Sequence, residues 1–311
     1  MNFSSLSGTP SRTPSPGKPR IGARLLGTNI SGIAQLRECL DHLAPLGACG
    51  VRLDIGGAIE PGKLSQTGRR EIASVFRSRE VPLVAVGSGL RKALDEPDNH
   101  EERLARINEL ARLAADLGGR GLILPSGDPV RAPNATDAVG APKAPEAPRL
   151  SPLLGGEIRL RRPLSDPRSR TQVLDESLEF LTQLAGRQGL ISFLDPGSHD
   201  TVDLFARLQE APLGELGLVW DPATQLAAGR RPEHFLSQGN AILGRGLFVS
   251  GRDWLMSQAQ ETVPGTGDVG WEELIVRLAA AGYGGYITAQ GANLEEVSAT
   301  TSALAGLLPL F

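Results

Sequence analysis

The sequence predicts a single closed barrel of eight parallel strands, each followed by a helix: one (β/α)8 TIM barrel. Three observations carry this. Short apolar runs alternate with helix-period segments along the 311-residue chain, and that alternation implies a parallel sheet. The runs number eight, with no break dividing them into two domains. The length suits one barrel of roughly 250 residues plus extras.

The elements follow in order. MNFSSLSGTPSRTPSPGKPR, residues 1–20, is Ser, Pro and Thr with almost nothing to bury, so a disordered N-terminal tail is expected. The barrel domain then spans 21–311. Its strand candidates are IGARLLG (21–27), CGVRLDI (49–55), VPLVAVG (81–87), GLILPSG (121–127), GLISFLD (189–195), LGLVWD (216–221), GLFVSG (246–251) and GGYITAQ (284–290). Each is brief and apolar through its middle, as a strand covered on both faces should be. In HEERLARINELARLAADLGG, Leu104, Ile107, Ala111 and Ala114 share one stripe, with Leu110 and Leu117 beside it. In WEELIVRLAAAG the stripe is Trp271, Leu274, Ile275, Leu278 and Ala279. Gly118 and Gly282 follow these helices where a left-handed cap belongs.

Segment 126–170, rich in Pro, Ala and Arg, breaks the rhythm between the fourth strand and its helix. A loop this long in a compact domain is functional or disordered. On the C-terminal face it would lie over the site. A flexible insertion is the first reading and a partly ordered lid the second, with GEIRLRRPL (156–164) the part expected to be ordered.

Composition excludes several classes. Lys and Arg total 32 against 35 Asp and Glu, a net charge of −3, whereas a phosphate-tracking surface needs a basic excess. Aromatics are 4%, too few for base-stacking platforms. No nucleic-acid partner is expected. The two cysteines, Cys39 and Cys49, have no metal-type spacing and form no disulfide framework; both read as small buried or half-buried hydrophobes. With no apolar run of about 18 residues and no signal-type N-terminus, no membrane association is expected, and the location reads by default as cytoplasmic.

PGTGDVGWEELIVRLAAAGYGGYI, residues 264–287, resembles the last helix and strand of the xylose isomerase-like barrels, the sugar and sugar-phosphate isomerases and epimerases with related endonucleases. Pro264, Gly265, Gly267, Asp268, Trp271, Gly282, Tyr283 and Gly285 carry the likeness. EERLARINELARLAADLGGRGLIL and VWDPATQLAAG extend it to the third helix, fourth strand and sixth strand. By its position Asp268 is expected to cap the helix that Trp271 opens. Related barrels often pair, so a homodimer is one assembly the resemblance implies.

The resemblance also implies a divalent metal held at the ends of strands five to eight by Glu, Asp, His and Glu. Such a metal polarises substrate oxygens, and Mn²⁺, Mg²⁺ or Co²⁺ suit an oxygen-rich set. Here the equivalent positions are Asp195, Asp221, Ser250 and Gln290. Two carboxylates remain as the only metal-ligand candidates; the imidazole and one carboxylate are gone. Thr224 stands where a second His is frequent in the family. The other pocket candidates are Asn29, Asp54 and Ser88 after the first three strands, His199 after the fifth, and Trp220, Arg252, Asp253 and Trp254. Arg252 is the candidate to supply positive charge in place of a metal. His42, His100 and His234 read as surface residues in or beside helices.

The preferred expectation is therefore a barrel without metal, either metal-independent or catalytically inactive, that binds a sugar-like small molecule. The alternative is an active divalent-metal-dependent isomerase or epimerase with an atypical site.

Overall fold

The computed structural model describes residues 18–128, 168–209, 215–237, 243 and 246–308. Most of the expected tail, and 129–167 with GEIRLRRPL, lie outside the described residues.

The strands are β1 (Arg20–Leu26), β2 (Val51–Asp54), β3 (Leu83–Gly87), β4 (Gly121–Pro125), β5 (Ile191–Asp195), β6 (Leu216–Trp220), β7 (Leu247–Gly251), a short pair β8 (Asp253–Leu255) and β9 (Gln260–Thr262), and β10 (Tyr286–Ala289). β1 to β7 and β10 close into a parallel barrel, with β10 between β7 and β1. All eight anticipated runs supply its strands. The antiparallel β8–β9 hairpin stands apart from it. The helices are α1 (Ile33–Leu43), α2 (Gln66–Ser78), α3 (His100–Asp116), α4 (Arg170–Gln188), α5 (Thr201–Leu208), α6 (Pro222–Ala227), α7 (Pro232–Leu236), α8 (Trp271–Ala280) and α9 (Leu294–Leu307).

Alternation along each strand separates two cores. Leu25, Leu53, Leu122, Leu194, Leu218, Val249 and Ile287 face outward and join the helices in one cluster. Ala85, Ile123, Phe193, Val219 and Phe248 face inward and form a second. The inward positions of β1, β2 and β10 are instead polar: Arg24, Arg52, Asp54 and Thr288. The apolar inner cluster thus runs from β3 to β7, with Asp195 and Ser250 as polar inner positions near its C-terminal end, and polar side chains gather on the remaining side.

Local signals fix the helix ends. Gly118 and Gly282 take left-handed backbone, with φ of 80° and 78°. Ser169 and Gln172 make a reciprocal capping box at α4. Asp268 does not cap α8: the cap position is Gly270, and Asp268 Oδ2 accepts from the Met256 N–H at 2.8 Å, tying the hairpin to the loop before the helix. His100 is not on the surface. It is 2% exposed and bonds Ser177 Oγ at 3.0 Å between α3 and α4. Burial, helped by Arg168 and Arg103, pushes its pKa down. Cys39 is buried as expected, but Cys49 is exposed, because it lies on the short connection entering β2.

Candidate functional site

The polar inner positions meet at the C-terminal end of the barrel as two charged groups. The first spans β1, β2 and β10. Asp54 Oδ1 accepts from Arg52 Nε at 2.6 Å, and its Oδ2 from Arg52 Nη2 at 3.2 Å and Arg24 Nε at 2.7 Å. Arg24 Nη1 reaches on to Gln290 Oε1 at 3.2 Å. This explains why β10 ends in an amide: Gln290 accepts from a guanidinium. Gly87 makes room for the arrangement, since a Cβ there would stand 2.0 Å from Asp54 Oδ1. Burial pushes the Asp54 carboxyl up, but Arg52 and Arg24 more than offset it and hold the pKa below the usual carboxylate range.

The second group spans β6, β7 and the hairpin. Asp221 is the N-cap of α6, its Oδ1 accepting from the Thr224 N–H at 2.9 Å. Its Oδ2 accepts from Arg252 Nε at 2.8 Å and lies 2.7 Å from Nη2. Arg252 Nη2 also donates to Thr224 Oγ1 at 2.6 Å, and Nη1 pairs with Glu261, which β9 delivers. Trp271 Nε1 fixes the Arg252 carbonyl at 3.1 Å, so α8 holds the arginine's backbone. Burial opposes the Arg252 charge, yet Asp221, Glu261 and Asp195 together raise its pKa.

Asp195, at the end of β5, lies between these groups. The side-chain bond it makes is to the Gly197 N–H, Oδ1 accepting at 3.3 Å. Burial first, then the Asp221 carboxylate, pushes its pKa up; Arg52, the Gly197 N–H and Arg252 pull it down by less. A buried carboxyl with a raised pKa is the kind of group that general acid–base chemistry uses. Ser250 is 2% exposed and aligned with Thr288 of β10.

The remaining candidates divide. Thr224 and Arg252 belong to the mouth. Ser88 is 6% exposed, its Oγ accepting from Leu90 N–H at 3.4 Å. His199 sits over the end of β4, with Nε2 3.2 Å from both Asp95 Oδ2 and the Ser126 carbonyl; Arg170 grips Asp95 from the other side. Asn29 is exposed and donates to the Ala292 carbonyl at 2.7 Å, beside a cleft of about 450 Å³ that also takes in Arg24 and Asn293. Three expectations are corrected. Trp220 does not line the pocket: it points outward, is fully buried, stacks 5.2 Å from Phe235 and donates to Gln225. Trp254, 6% exposed, joins the same outer core. Asp253 is fully buried, and its carboxylate accepts from the N–H groups of Trp254, Gly265, Gly267 and Val269, so it organises the glycine-rich loop. After β7 the chain turns into the hairpin, which carries both residues away from the mouth.

Arg24, Arg52 and Glu261 were missed. The signal for the arginines was present: each interrupts an apolar run at an inward-facing position, in GARLL and VRLD. Nothing local to Glu261 marks it, because its role depends on how the hairpin folds back.

No family sequence model matches the chain, and no curated protein matches it by sequence. Solved structures do match it in fold. The apo 3-keto-D-glucoside 4-epimerase YcjR from E. coli superposes at a TM-score of 0.63, with 19% identity, over 93% of this chain and 99% of that one. A xylose isomerase domain protein from Planctomyces limnophilus gives 0.64, with 16% identity, over 94% and 96%. The fold is that of the xylose isomerase-like TIM barrels. A family 2 AP endonuclease from Brucella melitensis shares it at 0.59, with 14% identity, over 94% and 98%. Sugar-modifying and nucleic-acid enzymes thus share this architecture, and function has to be read from the site.

Proposed function

We propose that the chain binds a small sugar-like polyhydroxy compound at the C-terminal mouth of its barrel, without the divalent metal of related barrels. One observation carries the reading: Asp221, the aspartate that matches the family's second ligand, is engaged by Arg252 through two nitrogens at one oxygen and by the α6 backbone at the other. A divalent ion at Asp221 would stand against a guanidinium. The rest of the donor set fits an ion no better. Gln290 Oε1 already accepts from Arg24, Ser250 offers a neutral hydroxyl, and no three His, Cys, Asp or Glu side chains converge to hold a metal among the described residues. Guanidinium and hydroxyl donors interleaved with carboxylate and amide acceptors suit a ligand rich in hydroxyl groups. The raised pKa of Asp195 and its position at the end of β5 support a proton-transfer role for it.

The second reading is a divalent-metal-dependent isomerase or epimerase with an atypical site. The proximity of Asp195 to Asp221, close enough for one charge to raise the other's pKa, favours it. Metal analysis separates the two, followed by a thermal-shift screen of sugars and sugar acids. A sugar that raises the melting temperature in EDTA, with the effect lost in Arg252→Ala, supports the first reading. A shift that requires Mn²⁺ supports the second.

A further inference from the structure

We propose a second ligand site at the opposite, N-terminal end of the barrel: a pocket for a small organic carboxylate with a flat apolar body, held between Arg20 and Arg120. It differs from the mouth in position and in chemistry.

The pocket exists because the barrel is not filled at that end. Inward positions of TIM barrels are ordinarily packed in layers by branched side chains. Here β4 and β6 place Gly121 and Gly217 at the lowest inward positions. A Cβ at either would stand 2.7 Å from the Phe193 ring. Those glycines let Phe193 lie across the barrel, its centroid 5.7 Å from that of Phe248, as an aromatic ceiling. Below it a cavity of about 520 Å³ opens to the N-terminal face, walled by Val84, Ile191, Leu247 and Tyr286. Ligand pockets run from about 300 to 1,000 Å³, mostly apolar with a few convergent polar groups, and this one has that size and make-up.

Two guanidiniums stand on its rim. Arg20 Cζ lies 4.1 Å over the Tyr286 ring, with Nε bonded to the Gly284 carbonyl at 3.1 Å. Arg120 is exposed, and its guanidinium makes no hydrogen bond or ion pair among the described residues. Both bear electrostatically on the Tyr286 hydroxyl. Among the described residues, no Asp or Glu lines the cavity. Two guanidiniums with no carboxylate partner among the described residues, at the edge of an aromatic-roofed slot, suit an anion attached to a flat apolar group. A polyhydroxy compound has too little apolar surface to use it.

The test is titration of the full-length protein with 2-naphthoate, followed by naphthyl fluorescence. Saturable one-to-one binding is expected. Arg120→Ala, at an exposed position that leaves the fold intact, should weaken it at least tenfold, and Val84→Trp should fill the slot and abolish it. Asp195→Asn at the mouth, expected to be at least as stable as wild type near neutral pH, should leave it unchanged. Naphthoate that fails to saturate, that binds Arg120→Ala or Val84→Trp as tightly as wild type, or that is lost in Asp195→Asn overturns the proposal. None of these outcomes depends on whether the mouth binds a sugar or a metal.

Discussion

Arg252 presents Nε and Nη2 to the same carboxylate oxygen of Asp221, at 2.8 and 2.7 Å. The arginine follows β7 and the aspartate follows β6, so the pair links neighbouring strands at the C-terminal end of the barrel. Removing one partner of a largely buried pair leaves the other charge uncompensated. Arg252→Ala should therefore destabilise the fold by about 2 kcal/mol or more. The double variant Arg252→Ala/Asp221→Asn should cost less than the sum of the singles, and urea denaturation of all four proteins measures that coupling.

Asp54 and Asp195 should respond to pH in opposite senses. The Asp54 pKa is depressed in the fold, so its contribution is present above the unfolded value of about 3.9 and is lost as pH falls through the lower folded value. Asp54→Asn should destabilise by ~3 kcal/mol near neutral pH, with the gap to wild type closing in acid. The Asp195 pKa is raised, so wild-type stability falls as pH climbs from the unfolded value through the higher folded one. Asp195→Asn should be at least as stable as wild type near neutral pH and lose that advantage in acid. Melting temperatures of both variants across the acid range check the two signs together.

Gly87→Ala should cost about 2–3 kcal/mol, because the new methyl would meet an Asp54 carboxylate that two arginines hold in place. If the carboxylate could simply move aside, the variant would match wild type in chemical denaturation.

Asp253→Ala should act on the loop before α8 rather than on ligand binding. It strands four backbone donors, those of Trp254, Gly265, Gly267 and Val269. Each lost partner in a buried setting costs ~1–3 kcal/mol. Limited proteolysis should cut between residues 255 and 270 in the variant and spare the wild type.

The barrel was legible because its signals are local and repeat. Each strand is a short apolar run, and Gly118 and Gly282 mark helix ends by the backbone conformation they require. The position of Asp221, Arg252 and Thr224 at the C-terminal end of the barrel was legible because their place after a strand fixes the end they occupy. What escaped depended on direction or on distant partners. Trp220 was assigned to the pocket, but the period of two turns it outward, while Asp221 beside it turns in. Asp253 and Trp254 were misplaced because the hairpin after β7 gives no strong sequence signal. Arg52 reaches Asp54 from two residues earlier on β2, whereas Arg24 reaches it from β1, 30 residues away in sequence, and only strand register shows that second pairing. His100 looked like a surface residue because it starts a polar helical turn; its partner Ser177 lies on α4, beyond the insertion.

We propose that arginine, not a metal, partners Asp54 and Asp221 at the mouth. Metal content and melting temperature of the purified protein test it, first in EDTA and then with Mn²⁺, Mg²⁺, Co²⁺ and Zn²⁺ added in turn. A ligand that binds only the folded state must raise the melting temperature. No stoichiometric metal and no shift with any of the four ions is expected. A clear Mn²⁺ or Co²⁺ shift that disappears in Asp221→Ala would contradict it.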